Sequence, residues 1–290
     1  MKKITTSGFL CLFFAVAVAQ QKDNAYKIDK EYNISPKGKL TLKCSDAKVS
    51  IKGTTRKNAY VKIYRAVTSK GLWVSNRDEF HVDVQELNGD LTIEERKRNL
   101  STVVFGYVNE THTIHIELPE TASLEIKGDD GDFLIQNVDG SISVKVDDAD
   151  VDVLACSGSD FHFDLEDGNL TMDEGAGKLE VEASDGRVRI ANGKFAQLDA
   201  SISDGNFELA TSLVNEGQYQ INAGDGSVSF TVLNGGGTFD VRHGDRRVTA
   251  EGRFKRVEES DDRSRFELAS GTAKVNVRAD DARIRLIQAQ

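Results

Sequence analysis

Proline is almost missing from this chain of 290 residues: there are two, Pro36 and Pro119. Both lie between strand-like runs, so neither interrupts a hydrogen-bonded ladder. Cysteine is nearly as scarce, with three residues. One of them, Cys11, lies in the apolar stretch at the start. Cys44 and Cys156 are too few for a disulfide scaffold. Each falls in or beside an alternating apolar segment and reads as a small buried thiol, although an oxidising compartment leaves a bridge between them open. His162 is six residues from Cys156, but no third group is in place to orient it for covalent catalysis. Helical periodicity is missing over any long stretch, and no second apolar run approaches the ~18 residues of a membrane-spanning helix. The mature chain is therefore expected to be all-β, without a transmembrane segment.

The first residues read as an export signal spanning 1–19. Lys2 and Lys3 precede the apolar run Phe9 to Ala19, which ends in the small-x-small site Ala17-Val18-Ala19. Removing it shifts the formal charge from −10 to −12, since two lysines leave with it. The remaining charge is uneven. Lys22 to Lys70 holds 13 Lys/Arg against 4 Asp/Glu, whereas Asp129 to Glu182 holds 2 against 16. Such a dipolar chain is a poor polyanion binder. The expected location is periplasmic, cell-surface or secreted.

What the chain has in abundance is a repeat. Asp129-Asp130-Gly131, Asp147-Asp148-Ala149, Glu166-Asp167-Gly168, Ser184-Asp185-Gly186, Ser203-Asp204-Gly205 and Gly224-Asp225-Gly226 recur at about 19 residues, and each is followed by a short alternating strand. Before and after each corner, apolar residues keep one phase: Ile142, Val144 and Val146, then Val151 and Val153. The next unit runs Phe161, Phe163 and Leu165, then Leu170 and Met172. An antiparallel meander would use Asp-Gly as a hairpin turn. The equal unit lengths and constant phase favour a β-solenoid, a single-stranded β-helix-like rod with two short strands per ~19-residue coil. Its regular repeats are expected over 119–290. A weaker form of the signature, at Ser45-Asp46-Ala47 and Asn88-Gly89-Asp90, marks 20–118 as a less regular N-terminal β layer that caps the rod.

The run Thr113 to Pro119, then Ser123-Leu124-Glu125-Ile126-Lys127 and the serial Asp-Gly units, resembles the bacterial putative-adhesin family of β-strand-repeat proteins, a domain of unknown function. The resemblance implies a β-solenoid and a surface or adhesive role. It carries no catalytic residues.

Aspartate in every corner invites a calcium reading. The nine-residue glycine-rich calcium repeat and the twelve-residue loop ending in Glu are both missing. Asp and Gly are the residues that turns require, so the aspartates read as corner-formers. No metal site and no cofactor is expected. His112 and His115, three apart on a strand, face opposite sides, and His81, His162 and His243 are isolated. Gly235-Gly236-Gly237 has no following Lys-Ser/Thr and is no phosphate loop.

Stacking turns outward residues into ladders. Lys145, Asp164, Glu182 and Ser201 form one column, and Ser143, His162, Glu180 and Asp199 another. On the second strands, Asp150, Asn169, Arg187 and Asn206 lie beside Asp152, Thr171, Arg189 and Glu208. Arg189 with Glu208 is an expected favourable pair, while Asp164 with Glu182 and Glu180 with Asp199 are unfavourable ones. These carboxylates define the alternative function, a glycan-processing enzyme.

The basic tract Arg242 to Arg256 runs into acidic Glu258 to Asp262, which argues against nucleic acid. It reads as a charge-laced edge that discourages strand addition. Trp73, Phe105 and Tyr107, in the irregular stretches Gly71–Val74 and Arg96–Glu110, are candidate partner-binding residues if they do not cap the rod. The expected function is a non-enzymatic adhesion or interaction module of the cell envelope or surface, with a glycan or protein partner from envelope or host. A structural, self-associating envelope protein is the third alternative.

Overall fold

The computed structural model describes residues 24–75, 78–99, 102–244, 248–269 and 271–289. Every regular element among them is a β-strand, and seventeen strands join in one open sheet. The regular part consists of β8 (Ser123–Gln136), β9 (Ile142–Leu154), β10 (Asp160–Ser212) and β11 (Gln218–Asn234). Each strand runs through its Asp-Gly corner and pairs in parallel with the next coil. Leu124 aligns with Ile142, Ile142 with Phe161, and Leu198 with Tyr219. Parallel pairing at one-repeat offsets excludes the hairpin meander and gives a β-solenoid-like repeat.

The register brings corner onto corner. Asp130 and Asp167 flank Asp148, and Asp204 lies beside Asp225. Glycine is required where the stacked backbones touch. Gly168 and Gly186 have φ of +117° and +106°, and a Cβ on them would lie 2.1 Å from the Ala149 carbonyl oxygen and 1.8 Å from that of Gly168. The halves of each coil on either side of the corner build two rows of strands. Both rows send alternate residues into one core, which includes Val144, Val151, Phe161, Phe163, Leu170, Phe207 and Phe230. Burying each such side chain contributes about 1.5–3 kcal/mol.

At both ends the order in space departs from the order in sequence. β2 (Lys39–Cys44) and β3 (Ala47–Thr54) form one coil around Ser45-Asp46. On one side it pairs with β8, Leu40 to Leu124 and Ala47 to Gly131. On its other side lie β6 (Asp90–Asn99) and β7 (Thr102–Pro119), Leu40 to Leu91 and Val49 to Ile114. The first coil in sequence is thus second in space. β1 (Asn24–Tyr32), β4 (Ala59–Ser75) and β5 (Asp78–Leu87) complete this end by antiparallel pairing, β1 to β4, β4 to β7 and β5 to β6.

The far end repeats the device. β16 (Ala273–Ala279) and β17 (Arg283–Gln288) slot between β11 and the pair β12 (Gly237–His243) and β13 (Thr249–Glu251). β15 (Arg263–Leu268) pairs antiparallel to β12, and β14 (Lys255–Glu259) antiparallel to β15, which closes the first row. A register shift between Arg256 and Glu258 kinks the edge strand β14, whose exposed charges fit the expected guarded edge.

One expectation needs correction. The stretches Gly71–Val74 and Arg96–Glu110 are not irregular connections. They lie largely in β4, β6 and β7, with Leu72 opposite Phe105 and Lys70 opposite Tyr107. Consecutive apolar residues break the alternation there, but antiparallel pairing asks only for backbone donors and acceptors. The side chains of Trp73, Phe105 and Tyr107 lie outside the described residues. Cys44 and Cys156 are both buried and free. One precedes the Asp46 corner and the other follows β9 at the opposite corner, so no bridge joins them. Burial holds the Cys44 thiol well above its ordinary value and pushes Cys156 up to about 11.

Candidate functional site

The ladders form as the repeat implies, with Lys145 beside Asp164 and Ser143 beside His162. Their charges are settled locally. The Lys145 ammonium closes on the Asp164 carboxylate, and this hydrogen bond raises the lysine above its ordinary value. Lys178 Nζ lies 3.1 Å from Glu180 Oε2, and His162 Nδ1 lies 3.7 Å from the same oxygen. Asp164 and Glu182 line one cavity of about 480 Å³ together with Lys145, Ser201 and Ser203. The unfavourable pair expected there is relieved by the lysine one coil below. The expected Arg189–Glu208 pair is replaced by Arg187, whose Nε lies 3.8 Å from Glu208 Oε1.

Beyond the corner, side chains stitch coil to coil. Asp150 Oδ1 accepts the Asn169 backbone N–H at 3.1 Å and its side-chain amide at 2.7 Å. Asn169 Oδ1 in turn accepts the Arg187 N–H at 3.2 Å. Among the described residues no three His, Cys, Asp or Glu side chains converge as metal ligands. The corner aspartates stand in an exposed file, one per coil.

The N-terminal end holds a buried polar cluster that the sequence hides. Continuing the register of β6 on β2 and of β7 on β3 places Glu95 opposite Cys44 and His112 opposite Ala47, the residues flanking the Ser45-Asp46 corner. In this outermost coil the corner is missing, because the chain runs on from Arg96 to Thr111 before it returns. Glu95 and His112 close the gap instead. His112 Nε2 lies 2.7 Å from Glu95 Oε1, and both side chains are 2% exposed.

The same two side chains serve the backbone of the corner beneath. Glu95 Oε2 accepts the Ser45 N–H at 3.0 Å, and His112 Nδ1 lies 3.1 Å from the Asp46 carbonyl oxygen. A carbonyl can only accept, so Nδ1 carries a hydrogen. Nε2 and Oε1 approach one another closely without forming a hydrogen bond, and neither has another partner among the described residues, so the pair is held in place by its two contacts to the corner beneath. It supplies the acceptor and donor that the next coil's backbone supplies elsewhere.

Aromatic and charged groups seal this clasp. Phe80 packs edge-on against the His112 ring, with centroids 5.5 Å apart, and Tyr26 packs against Phe80 at 5.0 Å. The buried Arg65 guanidinium lies 4.5 Å from the Phe80 centroid and places Nε 2.7 Å from Glu110 Oε1. Sequence spacing put His112 and His115 on opposite faces correctly: His112 is buried, and the His115 side chain is 40% exposed. It did not reveal Glu95, because the intervening ribbon conceals that the two residues flank a vanished corner.

These features define a class, an all-β solenoid-like repeat protein with antiparallel caps and open polar faces. The chain belongs to the Toastrack DUF4097 family, whose model matches residues 37–286. Among solved structures it is similar to a putative adhesin from Parabacteroides merdae, at 14% identity and a TM-score of 0.46, covering 91% of this chain and 97% of that one. A putative adhesin from Bacteroides fragilis gives 13% identity and 0.44, covering 90% and 97%. A putative lipid binding protein from Parabacteroides distasonis gives 12% and 0.41, covering 92% and 98%. No curated protein matches the chain. Among the described residues no helix is long and apolar enough to cross a membrane.

Proposed function

We propose that this chain is an exported, non-enzymatic β-solenoid with two strands per coil, acting as an adhesion or interaction module of the bacterial cell envelope or surface. The observation that carries this reading is the pair of flat, exposed ladders, which repeat one outward side chain per coil in register from β8 to β11. A flat repeating face suits an extended partner better than a small substrate. The apolar start ending at Ala19 supports export.

Two further features favour binding over glycan hydrolysis. Asp164 is engaged by Lys145, and neighbouring ladder carboxylates stand side by side on one face, about 4.8 Å apart along the sheet. Glycosidase carboxylates must instead approach the scissile bond from opposite sides. Cell fractionation with glycan and envelope-component arrays tests the reading. The expected result is an extracytoplasmic protein with a saturable signal and no turnover. Hydrolysis that collapses in the Asp164→Asn, Glu182→Gln double variant would replace binding by catalysis, and concentration-dependent filaments would replace it by a structural role.

A further inference from the structure

Deepening that reading and resting on it, we propose that the C-terminal part of the first row binds a carboxylated glycan of the uronic-acid type, with Arg242 and Arg278 as the carboxylate clamp. The two arginines are register partners on the parallel strands β12 and β16. Both are exposed, and neither makes a hydrogen bond or ion pair with a described residue. Their neighbours on the same row behave differently. Arg263, opposite Arg242 on β15, closes on Asp240 through two hydrogen bonds. Arg265 reaches Asp240 at 3.4 Å and Glu258 at 3.3 Å, and Arg256 reaches Glu259 at 2.7 Å. Two adjacent guanidinium groups left without a carboxylate repel one another until an anion bridges them, and their planar donors match a carboxylate.

The surroundings select among anions. Arg278 is shared by two adjoining cavities of about 560 and 500 Å³, one reaching Ser201 and Asn222, the other reaching Arg242 and His243. Away from the corner, the outward residues of β11 and β16 are Gln218, Gln220 and Asn222 beside Lys274 and Asn276. This carpet of amides pairs donors with acceptors as sugar hydroxyls do. On the corner side, Asp204, Asp225, Asp262, Asp280 and Asp281 border the cavities. They accept from hydroxyls and repel dense anions such as lipid phosphates, so one carboxylate per sugar is the charge density the face tolerates.

Titration of the mature protein with trigalacturonate at low salt tests the assignment, alongside its neutral methyl ester and phosphatidylglycerol vesicles. Saturable binding of trigalacturonate alone is expected, at least tenfold weaker in the Arg242→Ala, Arg278→Ala double variant with its melting temperature unchanged. Arg283→Ala, which removes an exposed arginine from the second row, should bind as wild type. Equal binding of the methyl ester, an unaffected double variant, or equal weakening by Arg283→Ala would overturn the assignment. Arginine-dependent vesicle binding without trigalacturonate binding would overturn it in favour of lipid phosphate. If other glycans bind independently of the two arginines, the interaction-module reading stands and this face is wrong. If no envelope component or glycan binds at all, the reading itself fails.

Discussion

The interior coils and the outermost N-terminal coil solve the same problem differently. Each corner must turn the chain by two residues and still satisfy the backbone groups of the corner beneath. Interior coils do it covalently, with Asp-Gly units stacked so closely that a Cβ on Gly186 would fall 1.8 Å from the Gly168 oxygen. The outermost coil lets the chain run out into the β6–β7 extension and completes the corner with Glu95 and His112 side chains, 2.7 Å apart. The difference shows what a corner supplies: one acceptor and one donor at fixed positions. Side chains that provide both free the backbone to extend.

The largest expected effect is at an interior corner. Gly186→Val forces a β-branched residue to a φ of +106° and into a carbonyl oxygen, and should cost about 4 kcal/mol in urea unfolding. A loss below about 1 kcal/mol would mean that the stacked corner can relax.

His112→Ala comes next. It leaves a buried carboxylate and a buried carbonyl without their partner and should cost about 3 kcal/mol. Because Cys44 lies beneath the clasp and Cys156 at the opposite corner, the variant should speed alkylation of Cys44 by iodoacetamide and leave Cys156 slow. Equal acceleration of both thiols would point to global unfolding instead of a local opening.

At the C-terminal cap the effect is smaller and depends on pH. Hydrogen bonds from Arg263 hold the Asp240 carboxyl below its ordinary value of 3.8. As pH falls, the unfolded chain takes up this proton first. The stabilisation is therefore complete above the unfolded value and is lost as pH falls through the folded one. Asp240→Asn should cost about 1 kcal/mol near pH 7, with the gap to wild type closing in strong acid. A gap that persists there would assign the effect to packing. The smallest change is expected for Asp185→Asn, at an exposed corner where Asn forms the same turn: within about 0.5 kcal/mol of wild type, with or without added calcium. A calcium-dependent rise in melting temperature that this variant abolishes would restore the metal reading of the corners.

The repeat was legible in the sequence because three signals coincide in each unit: an Asp-Gly corner, two-residue alternation, and a step that keeps Val144, Phe163 and their counterparts in one phase. Even the weak corner Ser45-Asp46-Ala47 belongs to the series. The placement of that coil was not legible, since β2 pairs with β8 across the whole β4–β7 excursion and parallel pairing leaves no turn motif to read. The same holds for β16, which returns to lie between β11 and β12. Leu72-Trp73-Val74 read as a connection because three consecutive apolar residues break alternation, yet their strand is set by backbone pairing with β7. The clasp was hidden for a related reason. Glu95 and His112 are far apart in sequence, and only the register of β6 and β7 on β2 and β3 shows that they stand where a corner would be. The unpaired state of Arg242 and Arg278 likewise needed the register, because Asp240 is nearer Arg242 in sequence but is taken by Arg263.

The substitution of side chains for a corner is tested most directly by amide hydrogen exchange at Ser45, read against Asn169 as the interior reference. Both N–H groups donate to a side-chain oxygen on a neighbouring coil, Glu95 Oε2 at 3.0 Å and Asp150 Oδ1 at 3.1 Å. In wild type, Ser45 should be protected to a degree comparable with Asn169. In Glu95→Ala its protection should fall by at least about tenfold while that of Asn169 holds. Unchanged protection of Ser45 in that variant would show that Glu95 does not stand in for the missing corner.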